Sequence, residues 1–392
     1  MSLTAPGPRK VTLIGQMDWP QNLYLARALH DAGWQVHMLS DGRQPRELAS
    51  WLKVEQVDFA DEQALVAHVR RLEQDPSNRW ILPLDEAGIF ACHDAAPEST
   101  KLVPRIKRVD LDMLQKKSGM AAFARSLGVP TPEWECVNDI HHAFAVAERL
   151  GYPAVLKGEW GHAGNQVVIC QDGAALRAGL KKLEGQRTLL QRHIRGASWA
   201  CGGFFHRGAL THLHGYEIVQ QQPVGSGPAS FVRHEHPPEM VESLTKLGAA
   251  LEWSGYMQVD FIRDEKGTFW FLEINPRPWG SMTAALASGN PIFAPLVALL
   301  AGQTPSCGPQ EAREWSACVF PKPVLGLARE HRGAEMLMTA LKPSFWRGAP
   351  RTDLSLMLYF AKLMYWDWRR PNERAQRVPQ HQRGIVRPEG FT

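Results

Sequence analysis

Carboxylate and amide side chains interrupt an apolar strand near residue 270. In FWFLEINPRPWGS, residues 269–281, Glu273 and Asn275 share one face because side chains alternate along a strand. Asp260 lies thirteen residues before Glu273, and the turn at 264–267 predicts a hairpin that brings it close. Burying three oxygen-bearing side chains together is costly without a cation. Two carboxylates and an amide, with positions left for water and phosphate, suit Mg²⁺.

Two lysines and a glycine-containing loop upstream offer contacts for phosphate. Lys157 ends the apolar strand PAVLK, and Lys117 lies in a predicted helix over 111–128. A lysine brought to such a place is a compact positive charge suited to a nucleotide's phosphates. The loop GEWGHAG, 158–164, has three glycines in seven residues, so its backbone can approach phosphate oxygens closely. It lacks G-x-x-x-x-G-K-[ST], which excludes a P-loop protein.

The elements around these residues indicate an α/β protein. Residues 10–40 predict a strand, a turn, a helix and a second strand, and the turn GQMDWPQN lacks G-x-G-x-x-G, so this unit is expected to be a scaffold. The strand in RWILPLDEAG ends at Asp85 and Glu86, which are candidates for holding a substrate amine. A helix cap is the alternative for Asp85. The prolines of VPTPE predict a linker after the helix over 111–128.

Composition and cysteine use restrict the class of protein. The chain has 392 residues and 44% hydrophobic content, enough for two or three domains with real cores. A net charge of +4 without a local basic patch in the body of the chain argues against nucleic-acid binding. Six cysteines form no C-x-x-C pair and the start shows no signal segment, which predicts a reduced, cytoplasmic protein. His212 and His214 alternate on a predicted strand, which favours a structural role over a metal site.

The pattern changes after residue 305. The run LSLMLYFAKLMYWDW, 354–368, is apolar on most faces, but fifteen residues are too few to span a bilayer comfortably. Six arginines follow between 369 and 387. Two interpretations stay open: a helix packed on the body with a solvated end, or an interfacial helix whose basic anchor makes a weak contact with a membrane surface.

The order of these motifs resembles the ATP-grasp superfamily, particularly its carboxylate-amine ligase-like members, also labelled predicted ATP-dependent carboligases. A lysine-bearing helix before GVPTP is followed by GYPAVLK with its glycine loop, by LLQRHIRG, and by VDF and LEINPR. The segments GSGPASFVRH, EINPRPWGS and ALASGNPIFAPL are similar to that subgroup in particular. The resemblance covers about residues 10–305. It implies an ATP-grasp fold with a Rossmann-like pre-ATP-grasp domain at 1–112, a lid subdomain at 113–190, a metal and substrate subdomain at 191–305, and a helical C-terminal extension at 306–392.

The same resemblance implies roles for individual residues. The lysines and the loop would hold ATP phosphates, and the backbone around 191–194 would bind adenine; the residues concerned are Lys117, Lys157, Gly161, Gly164, Gln191 and Ile194. Asp260, Glu273 and Asn275 would hold Mg²⁺, or Mn²⁺ in its place. Arg277 would stabilise negative charge on the transferred phosphoryl group, its alternative being a surface arginine. Gln191 and Ser198 stand where acidic residues are common in the family, so the ribose contacts are not assigned.

The implied activity is ATP-dependent ligation of a small-molecule carboxylate to a small-molecule amine. A carboxylate oxygen is a poor leaving group, so the γ-phosphoryl group of ATP is first moved onto it, and phosphate leaves when the amine attacks. Carboxylation with bicarbonate as the acid is one alternative, and a noncatalytic ATP-binding regulator is another. A homodimer is also left open.

Overall fold

The architecture is that of a computed structural model, which describes residues 9–17, 19–160, 166–221, 228–305 and 315–369. The candidate residues Gly161 and Gly164 lie outside the described residues. Within these ranges the chain forms three sheets and thirteen α-helices, so the predicted α/β class is confirmed.

The first sheet is parallel, with strand order β3-β2-β1-β4. Its strands are β1 (Lys10–Ile14), β2 (Gln35–Ser40), β3 (Leu52–Gln56) and β4 (Asn78–Pro83), and its helices are α1 (Pro20–Asp31), α2 (Glu62–Gln74) and α3 (Glu86–Ala95). The predicted βαβ opening is therefore present. After β3 the chain returns to the other side of β1, where the strand order reverses. The carboxyl ends of β1 and β4 flank this point, which is where open α/β sheets bind ligands.

The second sheet is antiparallel, with order β5-β8-β6-β7. This region contains α4 (Arg108–Leu114), α5 (Lys117–Ser126), β5 (Trp134–Val137), α6 (Ile140–Leu150), β6 (Ala154–Gly158), β7 (Val167–Cys170), α7 (Gly173–Lys182) and β8 (Thr188–Arg192). The single helix expected over 111–128 is divided into α4 and α5. Glu159 explains why a second helix, α5, begins here. Its carboxylate accepts hydrogen bonds from the Ser118 backbone NH at 3.0 Å and from the Ser118 hydroxyl at 2.5 Å, in the first turn of α5.

The third sheet has six antiparallel strands in the order β13-β12-β9-β10-β11-β14. Its elements are β9 (Ala197–His206), β10 (Ala209–Gln221), β11 (Ala229–His234), α8 (Pro238–Ala250), β12 (Gly255–Arg263), β13 (Phe269–Asn275), α9 (Met282–Ala287), α10 (Ala294–Leu300) and β14 (Trp315–Cys318). One face buries an apolar cluster against α8 that includes Leu244, Val259 and Phe261. The opposite face carries the polar side chains described below.

The C-terminal segment contains α11 (Lys322–Arg329), α12 (Gly333–Ala340) and α13 (Leu354–Arg369). It packs on the first sheet: the Tyr24 hydroxyl donates to the Gly348 carbonyl at 2.6 Å, and Trp51 Nε1 donates to Ser355 Oγ at 2.9 Å. The predicted packing of the helix on the body is thus present, and the sequence after residue 369 lies outside the described residues. None of the described helices combines the length and the apolar character that crossing a membrane requires.

The predicted division into four parts follows the order of these sheets and helices, and its boundaries stay predictions. Two details differ from expectation. Strand β8 runs to Arg192, past the predicted boundary at 190. The extension is also not purely helical, since β14 pairs with β11 and covers an edge that would otherwise present unpaired backbone groups.

Candidate active site

The hairpin of β12 and β13 brings the predicted metal ligands together. Asp260 lies directly opposite Glu273 in the strand register. Asn275 Nδ2 donates to one oxygen of Asp260 at 3.0 Å, and Gln258 Nε2 donates to the other at 2.6 Å. The predicted juxtaposition is therefore present. The sequence analysis did not identify Gln258 as part of the site. Its position two residues before Asp260 on the same strand could have placed the two side chains on one face.

A β-bulge gives Glu273 its direction. Asp260 pairs with Glu273 and Phe261 pairs with Phe271, so Leu272 is an extra residue without a partner. Phe271 therefore joins the apolar cluster against α8, while Glu273 faces the other side with Asp260. In a regular strand, residues 271 and 273 would share a face. Bulges are known to redirect side chains beside functional sites, and this one separates the acidic face from the apolar one.

The electrostatics of the hairpin favour a cation. Burial, and then the charge of Glu273, raise the pKa of Asp260 to about 8. A nearby divalent cation would offset the cost of ionising Asp260 in this buried position. Carboxylate and amide oxygens are ligands that Mg²⁺ accepts. Within the described ranges no three His, Cys, Asp or Glu side chains form a metal-binding group. The candidate set reaches three protein donors only through the Asn275 amide, which suits an ion that keeps several waters.

Two buried lysines approach the same carboxylate from the second sheet and from α5. Lys157 lies on β6 and Lys117 is the first residue of α5, and they are 9% and 8% exposed. Burial lowers the pKa of Lys157 to about 8 and also lowers that of Lys117, and the negative charge of Glu273 opposes both shifts. Glu273 therefore links the hairpin with both lysines. A bound polyphosphate would supply the negative charge that favours their protonated forms.

Arg277 connects the hairpin to the first sheet. Its Nε donates to Glu86 Oε1 at 2.7 Å, and its Nη2 donates to Asn275 Oδ1 at 3.2 Å. The guanidinium lies 5.0 Å from the ring centre of Trp19, and the side chains of Arg277 and Glu86 are each only 14% exposed. The alternative of a surface arginine is therefore wrong. The sequence had marked Glu86 as a candidate contact for an amine but not as the partner of Arg277.

Asp85 lies at the switch point of the first sheet and takes the alternative role of a helix cap. One oxygen of its carboxylate accepts a hydrogen bond from the Gly88 NH at 2.8 Å, at the start of α3. The other oxygen is buried without a partner, and burial raises the pKa of Asp85 to about 7. The Gln16 side-chain nitrogen and the Asn22 side-chain oxygen are likewise buried without partners. These three side chains leave two acceptors and one donor unsatisfied near the carboxyl ends of β1 and β4.

The residues predicted to bind adenine lie where the second sheet ends. Gln191 is buried in β8, opposite Trp134 of β5 and Val155 of β6. Ile194 follows two residues after the end of β8, in the connection to β9. The placement is compatible with a segment that joins the two sheets on either side of a nucleotide, and the adenine contact stays a prediction.

The histidines of β10 have a structural setting. His212 Nε2 contacts Asn290 Oδ1, and His214 Nε2 lies 3.1 Å from His234 Nδ1. Burial lowers the pKa of His212 and His214, which keeps both neutral. Tyr216, two residues further on, accepts a hydrogen bond from Ser281 Oγ at 2.5 Å. This supports the expected structural role of the two histidines.

Mg²⁺ affinity is predicted to depend on pH through Asp260. With a pKa near 8, Asp260 is protonated in the metal-free protein at pH 6, and its proton must leave before the oxygen can bind a cation. We therefore expect the affinity to rise by up to about tenfold per pH unit between pH 6 and 8 and to level off above that. Calorimetric titration with Mg²⁺ across this range measures the effect. A flat profile would contradict a role for Asp260 as a ligand.

Comparisons with known proteins agree with this geometry. Residues 115–281 match the family model of the ATP-grasp domain. Acetyl-CoA carboxylase 2 of Oryza sativa subsp. japonica is 25% identical over 201 residues, and the match covers 42% of this chain and only 8% of that protein's length. The biotin carboxylase domain of the Hydrogenobacter thermophilus 2-oxoglutarate carboxylase, solved as a dimer with MgADP, ADP and bicarbonate, is similar with a TM-score of 0.63 and 17% identity, covering 79% of this chain and 74% of that one.

An L-amino acid ligase from Bacillus licheniformis gives a TM-score of 0.61 at 18% identity, covering 78% of this chain and 77% of that one. At these identities the solved structures show the fold. The matched segment includes Lys117, Lys157 and the whole hairpin of β12 and β13, so the family model and the site geometry coincide. Over residues 115–281, the sequence and the fold of this chain are both similar to those of an ATP-grasp domain.

Proposed function

We propose that the protein is an ATP-dependent ligase that activates a small-molecule carboxylate as an acyl phosphate and joins it to an amine. The observation that carries this proposal is the meeting of opposite charges around Glu273. The negative charge of Glu273 acts on Lys117 and Lys157, and Asp260 lies opposite Glu273 in the strand register. Phosphoryl transfer requires positive charge at both ends of the moving group and an ion between the phosphates.

Each charged side chain has a distinct task in this proposal. Lys117 and Lys157 hold the phosphates of ATP in line with the acceptor. Asp260, Glu273 and Asn275 hold Mg²⁺, which would neutralise charge on the phosphates when bound. The carboxylate oxygen forms a bond to the γ-phosphorus while the bond to the bridging oxygen of ADP breaks. Arg277, fixed by Glu86 and Asn275, stabilises the charge on the acyl phosphate. The amine then attacks the carbonyl carbon, phosphate leaves, and the amine's proton passes to a base.

The first sheet offers a place for the amine. Asp85 and Asn22 each present a buried acceptor atom without a partner, and Gln16 presents a buried donor. An amine or ammonium group would satisfy the acceptors, and the charge of Asp85 would favour a cation. This position is next to Glu86 in sequence and hence near Arg277, where the acyl phosphate would form. The carboxyl ends of β1 and β4 are also the usual ligand edge of such sheets.

The proposal is tested by acceptor-dependent release of ADP and phosphate. We expect both products only when the correct carboxylate and the correct amine are present with ATP and Mg²⁺. A screen pairs amino acids, dipeptides and sugar-linked carboxylates with amines, and one arm adds bicarbonate. Turnover with bicarbonate alone as the acid would indicate the carboxylase alternative. ATP binding without turnover in every arm would favour a noncatalytic regulator.

Other features of the proposal are less specific. The five cysteines within the described ranges are free, which supports action in the reduced cytoplasm. Mn²⁺ could replace Mg²⁺ because the donors are oxygens. A homodimer is compatible with the fold, and sedimentation at several protein concentrations would measure it.

A further inference from the structure

Large exposed apolar side chains are concentrated in the C-terminal segment. Eight of the eleven such side chains within the described ranges fall between residues 337 and 368. Three belong to α12 and its end, namely Leu337, Met338 and Leu341, at 60%, 64% and 72% exposure. The other five lie on α13. An apolar surface of this kind on a protein marks an interaction site.

Helix α13 has two apolar faces, and only one is covered. Leu356, Tyr359 and Phe360 are buried against the body of the protein. The opposite face exposes a stripe at spacings of four, three, four and three residues, formed by Leu354, Leu358, Ala361, Tyr365 and Trp368. Residues at these spacings lie on one side of a helix. The buried face already anchors the helix, so the exposed stripe is not needed to hold α13 on the protein.

The charge around this stripe is mainly positive. From 336 to 369 the basic residues are all exposed; they are Lys342, Arg347, Arg351, Lys362 and Arg369. The acidic residues of the same segment, Asp353 and Asp367, are buried at 8% and 2% exposure. Two acidic neighbours outside this range are paired with basic side chains: Glu47 with Lys362 at 3.1 Å, and Glu335 of α12 with Arg332 at 2.5 Å. The sequence that follows α13 adds five arginines and two glutamates by residue 389.

We propose that the exposed stripe of α13 lies on an anionic lipid surface. Leucine side chains would enter the acyl boundary, and Tyr365 and Trp368 would sit at headgroup level, where such rings are enriched. The exposed lysines and arginines would contact the lipid phosphates. A second copy of the chain is a weaker candidate, because pairing two stripes would bring like charges together. The proposal is independent of the ligase activity and goes beyond it.

Vesicle binding by the full chain tests the proposal. Vesicles of phosphatidylcholine with about one third phosphatidylserine are compared with phosphatidylcholine alone, by co-sedimentation at low and high salt. We expect binding to the anionic vesicles only, weakened by salt. The double variant Leu354→Asp, Leu358→Asp is expected to weaken binding at least about tenfold, because both side chains are exposed and each gains a negative charge. The matched control Ile169→Asp, 48% exposed on β7, should bind like wild type.

The alternatives have their own outcomes. Thermal unfolding of the double variant should match wild type, and ligase turnover in solution should be unchanged. A second change, Trp368→Ser, provides an independent test should the double variant unfold. Anionic binding that survives in all stripe variants but disappears on truncation after Arg369 would overturn the role of the stripe. A concentration-dependent dimer that the double variant abolishes would identify a second copy as the occupant, and so would overturn the lipid proposal.

Discussion

Glu273→Gln is expected to reduce turnover at least about a hundredfold while leaving the fold intact. The substitution keeps the volume of the side chain but removes the charge that acts on Asp260, Lys117 and Lys157. Mg²⁺ would lose a carboxylate ligand, and the two lysines would lose the carboxylate that favours their protonated forms. Steady-state ADP release measures the loss, and circular dichroism checks the fold. Retention of wild-type, Mg²⁺-dependent turnover would refute the site.

A matched control and a second readout make this prediction specific. Glu265 lies exposed in the turn of the same hairpin, so Glu265→Gln should leave turnover unchanged. In the metal-free protein, Glu273→Gln should lower the pKa of Asp260, because Glu273 raises it. The pKa of Lys157 should also fall further, because Glu273 now opposes its depression. Titrations followed by NMR would detect both shifts even with no known substrate.

Arg277→Gln is expected to lower the free energy of unfolding by about 3 kcal/mol and turnover by about a hundredfold. The stability loss arises because Glu86 would keep its charge in a mostly buried position after its ion pair with Arg277 is removed. The loss of turnover arises because Arg277 contacts both Glu86 of the first sheet and Asn275 of the hairpin. No other arginine in the described part of the chain makes these two contacts. Chemical denaturation and ADP release measure the two effects separately.

The double variant Glu86→Gln, Arg277→Gln separates structure from chemistry. Removing both charges leaves no uncompensated ion, so much of the lost stability should return. Turnover should stay low, because the cation is still absent. Should turnover recover together with stability, Arg277 would be a structural link between the sheets and not a participant in the reaction.

The sequence was sufficient for the parts of the site that depend on local periodicity. Alternation along β13 placed Glu273 with Asn275, and the turn at 264–267 brought Asp260 opposite them. The βαβ opening followed from apolar repeats and is confirmed, and the apolar run at 354–368 forms a helix that packs on the body. The resemblance in motif order predicted the ATP-grasp architecture, and the family model that matches residues 115–281 agrees with it over that range.

Contacts between residues distant in sequence could not be predicted from such patterns. The bond from Arg277 to Glu86 joins residues 191 positions apart, and the contact of Ser118 with Glu159 spans 41. Both depend on how elements distant in sequence pack against each other, which no local repeat encodes. The division of the helix near Lys117 has the same origin, because the carboxylate of Glu159, the residue after β6, accepts a hydrogen bond from the Ser118 backbone NH. The sequence likewise showed that α13 is apolar on most faces, but it could not show which face is buried and which is exposed.

The unpaired Leu272 gives β13 one residue more than its pairing with β12 uses. A polar substitution at this partly exposed position leaves the register unchanged, so Glu273 should still meet Asp260. Deleting Leu272 would make Phe271 and Glu273 neighbours, and neighbours in a regular strand point to opposite faces, as these two side chains already do. The deletion is therefore expected to remove the bulge while keeping Glu273 opposite Asp260. At this one position, β13 is expected to tolerate a shorter chain as well as a substitution.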